Sequence, residues 1–495
     1  MAIRRIVAGI FMGLALAGCA TTSSEPGSIP ATVAQRSASD QKTGDQSHAR
    51  ILQQFGGAYE NAKLANYVNR IGDELASVSE QPDAEWTFTV LDTPTINAFA
   101  LPGGYIYVTR GLVALANDEA ELAGVIGHEI GHVTAGHSSL RQGRSTAAGI
   151  GMLAGQIGLG LLGIPGSAAQ GLLQTAAGGV LASYSRGDEL DADNLGIRYL
   201  AKAGYDPYAQ SDFLESMGAA SLLDSKIAGR GYNPNSVDFF ASHPANAPRT
   251  RQAVAVAEQT GLVISPDAPR HRDRFMRAVD GIIWGDSPEQ GFVDGRTFSH
   301  PKLRFTYTAP PEFAITNSSK SVAARGPGNA LFIMDGGNDP GGALTGYIQN
   351  GWVPALARQT RVGQLSQLEQ TTINGLPAAR GILPMAVKGG RADVLLVAIR
   401  LNGTIYRFTG IAPRGSNQIP AMYDAARTFR NLSATEARKL KPKRIDVVSA
   451  GRGDTVASMA DRMNVDQFPE DRFLVLNGLK AGAQLTPGQK VKLIR

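Results

Sequence analysis

His128-Glu129-Ile130-Gly131-His132 is the stretch of this 495-residue chain whose residue types and spacing could do chemistry. On a helix each residue advances about 100°, so His128 and His132 stand one turn apart on one face, where two imidazoles can share a tetrahedral metal. Glu129 lies beside them. Its carboxylate does not compete as a ligand and can hold and deprotonate a water at the metal, the division of labour of metallopeptidases. A chain with only 7 histidines seldom forms an HExxH by accident. The flanks predict the helix that the chemistry requires. Asn117 or Asp118 can cap it, Asp118 and Glu121 have capping-box spacing, and Leu122, Val125, Ile126 and Val133 supply an apolar stripe.

A third ligand has to come from elsewhere. His137 arrives too early for the pattern HExxHxxGxxH, whose Gly and final His positions hold Ala135 and Ser138, so it reads as a residue behind the metal ligands or at the surface. Downstream, Ser185-Arg186-Gly187-Asp188-Glu189-Leu190-Asp191-Ala192-Asp193 predicts a second helix with Glu189 and Asp193 one turn apart. One carboxylate can complete a two-histidine, one-glutamate set while the other accepts a hydrogen bond from a ligating imidazole and fixes its tautomer.

HEIGH followed by SRGDELDAD, with NAFALPGGYIYVTRG before it, resembles the zinc metallopeptidase family of the HtpX heat-shock and CAAX prenyl proteases, and within it the soluble periplasmic branch of beta-barrel assembly-enhancing proteases. The likeness runs over roughly residues 48 to 260. It implies one Zn²⁺ per chain on His128, His132 and Glu189, with Glu129 as general base and Asp193 behind a ligand. It also gives the His243-Pro244 pair a place near the metal, where His243 could gate the zinc or stabilise an oxyanion; a lone histidine is otherwise a surface or capping residue. Arg249 is expected to pair with a helix carboxylate nearby.

The composition fits a globular chain long enough for about three domains. A net charge of +5, part of it from Arg4 and Arg5, gives no argument for nucleic acid. Residues 1–19 have a basic start, an apolar run from Ile6 to Ala17 and the ending Leu16-Ala17-Gly18-Cys19, which reads as a secretory signal with a lipobox. Cys19, the only cysteine, is then the lipidation site and the membrane anchor, and no internal disulfide is possible. Ala20 after it favours the outer membrane, by resemblance to bacterial lipoproteins. Residues 20–47, rich in Ser, Thr, Gln and Pro, read as a disordered tether.

The metallopeptidase domain is expected over 48–262, mainly α, zincin-type (gluzincin), with a small β-sheet. Its pattern is helical from His48 to about Ser79, then strands run from Trp86 to Leu91, Ile96 to Leu101 and Tyr105 to Thr109. Asn97, Ala98, Phe99, Ala100 and Leu101 are the expected edge strand, on which an extended substrate could pair; an ordinary core hairpin is the alternative. Ser145 to Ser185 carries no Asp, Glu, Lys or Arg and reads as a helical pair, packed or surface-lying rather than membrane-spanning. Residues 263–300 are expected as a helical connector, 301–436 as an α+β domain faintly similar to PsbP and Mog-type folds, and 437–446 as a basic linker. Residues 447–495, with Gly453-Asp454-Thr455-Val456, Leu476-Asn477 and Leu485-Thr486-Pro487-Gly488-Gln489, resemble a LysM module of βααβ form. That likeness implies contact with peptidoglycan.

These readings together predict a zinc endopeptidase on the periplasmic side of the bacterial envelope, acting on misfolded or unassembled envelope proteins in outer-membrane quality control. A chaperone or scaffold for the outer-membrane assembly machinery, with rare or gated cleavage, is the alternative. A peptidoglycan hydrolase is a third reading, for which the HxxxD and HxH arrangements of zinc wall endopeptidases are not evident.

Overall fold

The computed structural model describes residues 37–137, 184–227, 243, 254–258, 269–358, 361–387 and 390–495. The segment expected as a tether enters a helix, α1 (Ala38–Gln54), at its C-terminal end. Composition hid the reason: Ser37 and Asp40 form a capping box, and Ile51 packs with Phe55, Phe99, Leu101 and Tyr107. The helical pattern from His48 to about Ser79 is divided between two helices. Gly56 and Gly57 adopt φ of 84° and 91°, which ends α1, and Asn61 caps α2 (Ala62–Ser77).

Three strands follow, β1 (Thr87–Leu91), β2 (Ala98–Leu101) and β3 (Tyr105–Thr109), in the order β1-β3-β2. β1 runs parallel to β3 and β2 antiparallel to it. The expected edge strand therefore does lie at an edge, but both its faces are covered: Ala98 and Ala100 point into the main core, Phe99 and Leu101 into the layer under α1.

A short helix α3 (Arg110–Leu115) leads to α4 (Glu119–Thr134), every residue of which is buried. Asp118 caps α4 by accepting from the Glu121 N–H, whereas the Glu121 carboxylate accepts from the Asn117 N–H, one residue before the box partner expected. Glu119, fully buried, anchors the first turn through Tyr67 (2.6 Å), Tyr205 (2.9 Å) and Arg274. α5 (Arg186–Lys202), capped by Ser185, lies on α4 with glycines at the crossing. A Cβ on Gly196 would fall 2.9 Å from the His128 nitrogen, and one on Gly131 3.0 Å from the Ala192 carbonyl. Only at such closeness can residues of α5 reach a site on α4. α6 (Ala209–Ile227) completes this part of the main core.

The expected helical connector is mostly not helical. Among its described residues only α7 (Arg272–Val279) is a helix, and it is followed by β4 (Ile283–Trp284), β5 (Phe292–Asp294) and β6 (Thr297–His300). β5 and β6 pair onward with β7 (Phe305–Thr308), so the second unit begins before residue 301. Its main sheet is antiparallel and seven-stranded, drawn from segments between Ala314 and Pro413, with a helix over Gln418–Arg427 whose Met422 and Ala426 pack against Phe332 and Phe408.

The expected basic linker is also regular structure. Ala434–Lys439 is helical and Lys443–Ser449 is a strand that pairs with β4 on one side and with Lys490–Ile494 on the other. Between those two strands come helices Val456–Ala460 and Pro469–Leu476, a βααβ order. This unit is not a bead on a string: Met459, Phe473, Val491 and Leu493 belong to the same core as α4. Lys492 is fully buried and its ammonium donates to the carbonyls of Ala114 (2.8 Å) and Ala116 (2.6 Å) at the end of α3. Burial pushes its pKa down, and those carbonyls take the place of water.

Candidate metal centre

α4 delivers His128, Glu129 and His132 to one buried point, and α5 brings Glu189 and Asp193 to it from the facing side. His243 joins them. Ligand atoms of His128, His132, Glu189 and His243 all lie within 4.8 Å of one another. His128 Nε2 is 3.1 Å from His132 Nε2 and 3.3 Å from His243 Nδ1. Glu189 Oε1 is 3.4 Å from His132 Nε2 and 2.9 Å from His243 Nδ1. A tetrahedron with zinc–nitrogen arms of about 2.0–2.1 Å has edges of about 3.3–3.4 Å, so these spacings fit a single zinc ion. The donor set, three imidazoles and one carboxylate, is also one that zinc accepts.

The surroundings prepare the imidazoles. Asp193 Oδ1 lies 2.9 Å from His128 Nδ1 and also accepts from Gln210 Nε2 at 3.2 Å. A proton held on Nδ1 by that carboxylate leaves the Nε2 lone pair facing the group. His132 Nδ1 is 3.0 Å from His137 Nδ1, and His137 Nε2 stands 3.8 Å from Asp188. Burial pushes the imidazoles of both His132 and His137 below their usual pKa, which favours the neutral rings that ligation requires. Tyr184 stacks on the His132 ring with centroids 3.7 Å apart and planes 13° apart. Glu129 Oε1 lies 3.4 Å from His243 Nε2, so His243 touches the carboxylate beside the ligands with one nitrogen and the ligand group with the other.

The profile of Peptidase family M48 matches residues 62–257, which include every residue of this group. These residues form an M48 domain. Members of the family are zinc-dependent, and the His/Glu group could hold one ion. The beta-barrel assembly-enhancing protease of Escherichia coli is 30% identical over 201 residues, covering 40% of this chain and 39% of that protein. The mitochondrial metalloendopeptidase OMA1 of Schizosaccharomyces pombe is 31% identical over 186 residues, covering 38% of this chain and 51% of that one. The chain thus spans about half the length of these curated relatives, or less. The solution structure of cyanobacterial PsbP from Synechocystis aligns with 28% of this chain and 98% of its own at 14% identity, with a TM-score of 0.24.

Of the sequence-derived residues in the M48 domain, His128, Glu129, His132, Glu189, Asp193 and His243 come together. Asn97 to Leu101 lie on and just before β2, while Arg249, Cys19 and nearly all of the uncharged stretch 145–185 lie outside the described residues. Sequence reasoning weighed His243 as a surface or capping residue against a gate or oxyanion donor near the metal; it stands among the potential ligands themselves. It missed Tyr184, for which the only signal is its place before the Ser185 cap of the ligand helix, and it left open that His137 packs against His132.

Proposed function

We propose that this chain is a zinc-dependent endopeptidase of the bacterial envelope, of gluzincin type, in which His128, His132 and Glu189 hold the metal and Glu129 is the general base. The observation that carries this reading is the buried meeting of two helices and His243, which puts ligand atoms of three imidazoles and a carboxylate within 4.8 Å of one another, with Glu129 beside them. A bound zinc ion supplies Lewis acidity toward the scissile carbonyl and toward an attacking water. Glu129 takes the proton of that water and returns it to the leaving amine. Asp193 keeps His128 in the ligating tautomer. His243, whose Nε2 stands 3.4 Å from Glu129, would donate to the oxyanion once it leaves the ligand group. An unfolded substrate would lie along the edge of the sheet at β2, its backbone pairing with Ala98–Leu101.

The biological setting follows from the leader and the relatives. A lipid on Cys19 anchors the protein to the outer membrane on its periplasmic side, and misfolded or unassembled outer-membrane proteins are its substrates, a reading supported by relatives named beta-barrel assembly-enhancing protease. The C-terminal βααβ unit acts as a LysM-like contact to peptidoglycan, and the α+β unit presents substrate or braces the peptidase. The second reading, a chaperone that cleaves rarely, is favoured by His243: a site whose fourth ligand position is taken by protein is a closed site. Complementation of a deletion strain separates the two. The protease reading predicts that Glu129→Gln fails to restore envelope integrity; restoration equal to wild type would move the function to binding.

A further inference from the structure

A cavity of about 350 Å³ lies between the M48 domain and the C-terminal βααβ unit, and it shares no lining residue with the metal group. Six separate stretches build it: the loop before β2, α3, α6 and β4 from one side, and the helix Pro469–Leu476 and the strand end at Ile494 from the other. Most of its wall is apolar, with Ile96, Leu115, Leu223, Val475 and Ile494 among its residues. Its size falls in the range of small-molecule sites, about 300–1,000 Å³. One wall is rigidly built, because Gly111 sits so close to the loop that a Cβ would fall 2.0 Å from the Pro94 carbonyl.

The chemistry of the occupant is set by Arg110. It lines the cavity and its side chain is 1% exposed. Nε donates to Asp92 at 2.9 Å and Nη1 donates to the Ile283 carbonyl at 2.7 Å. Nη2 is buried and has no hydrogen-bond partner among the described residues. A guanidinium cannot shed its charge, so a buried NH₂ of this kind calls for an acceptor, and an anionic one bonds best. Arg472, whose guanidinium stands 5.9 Å over the Trp284 ring, adds a second positive charge to the lining, while Asp224 adds a negative one. One free NH₂ and a neighbouring carboxylate suit a monoanion better than a phosphate dianion.

We propose that this cavity binds an apolar chain that ends in a single carboxylate, the carboxylate accepting from Arg110 Nη2 and the chain lying against the apolar wall. Such a group comes from a free fatty acid or from the C-terminal residue of an apolar peptide. Because both units line the cavity, its ligand also clamps the C-terminal unit to the peptidase domain.

The test is calorimetric titration of the full chain with decanoate below its micelle concentration, with decanamide, and with acetyl-Val-Ile-Leu carrying either a free or an amidated C-terminus. One equivalent of one of the acids should bind about tenfold or more tighter than its amide, the advantage of a charge-assisted bond, and whichever acid binds identifies the source. Ala220→Phe, which projects a ring into the cavity from α6, should weaken that binding by about tenfold or more, and Arg110→Lys should narrow the preference for acid over amide. Absence of binding by both acids, equal binding of acid and amide, or undiminished binding to Ala220→Phe would each overturn the proposal. The Ala220 variant keeps it testable if the Arg110 variant does not fold.

Discussion

Replacing Asp193 should loosen zinc without touching a ligand. Its carboxylate, 1% exposed, sits 2.9 Å from His128 Nδ1, and Gln210 alone is too neutral to replace it. In Asp193→Asn the amide oxygen can still accept from His128 but carries no charge, so the ring remains oriented and becomes a poorer donor to the metal. In Asp193→Ala the orientation is lost as well, and the proton is free to move to Nε2, where it would point into the ligand group. Partners of this kind are worth about 10- to 100-fold in metal affinity, which corresponds to about 1.4–2.8 kcal/mol. We expect Asn near the lower figure and Ala near the upper. Competition against a chromophoric chelator measures this directly, with far-UV circular dichroism reporting that the helices are intact. Zinc affinity in Asp193→Ala equal to wild type would refute the tautomer reasoning.

The helix crossing and the second unit provide two further tests. Gly196→Val should push α5 off α4, since the added Cβ would meet His128 N at 2.9 Å; overpacking of this kind costs about 1–3 kcal/mol, and zinc stoichiometry should fall with it. Gly218→Ala on α6, where a Cβ meets nothing within 4 Å, should change neither. His300 is buried and accepts from the Leu303 N–H through Nδ1, and burial lowers its pKa from 6.5 to about 4. The folded state therefore resists a proton that the unfolded chain accepts. Its contribution is complete above about pH 6.5 and is lost as pH falls toward about 4, by about 3 kcal/mol in all. Calorimetric melting of the full chain between pH 7 and pH 4.5 should show one transition that falls more steeply in wild type than in His300→Asn; identical pH dependence would contradict this.

What could be read without coordinates was what is local. The Asp118 cap, the HExxH helix and the pairing of Glu189 with Asp193 each rest on spacings within two turns, so composition and periodicity reveal them. The joining of His243 to the group depends on a segment far along the chain, and no local pattern encodes that distance. Strongly charged sequence conceals ordered structure in two places. Arg438 to Arg444 has the composition of a linker, yet Lys443 and Arg444 pair with Trp284 and Ile283 in a sheet. Lys492 has the composition of a surface residue, yet it is buried because three carbonyls at the end of α3 replace its water. In both cases backbone partners from the peptidase side outweigh the cost of ordering a charged side chain. The tether was misread for the opposite reason: polar composition argued for disorder while a Ser37–Asp40 box, visible in the sequence, argued for a helix.

Cleavage of casein by the zinc-loaded protein, beside Glu129→Gln, tests the central claim most directly. General-base catalysis contributes about 10²- to 10⁴-fold, so the variant should retain stoichiometric zinc and lose activity by that factor. Equal cleavage by both proteins, with zinc bound in each, would contradict the role given to Glu129 and with it the peptidase reading of the site.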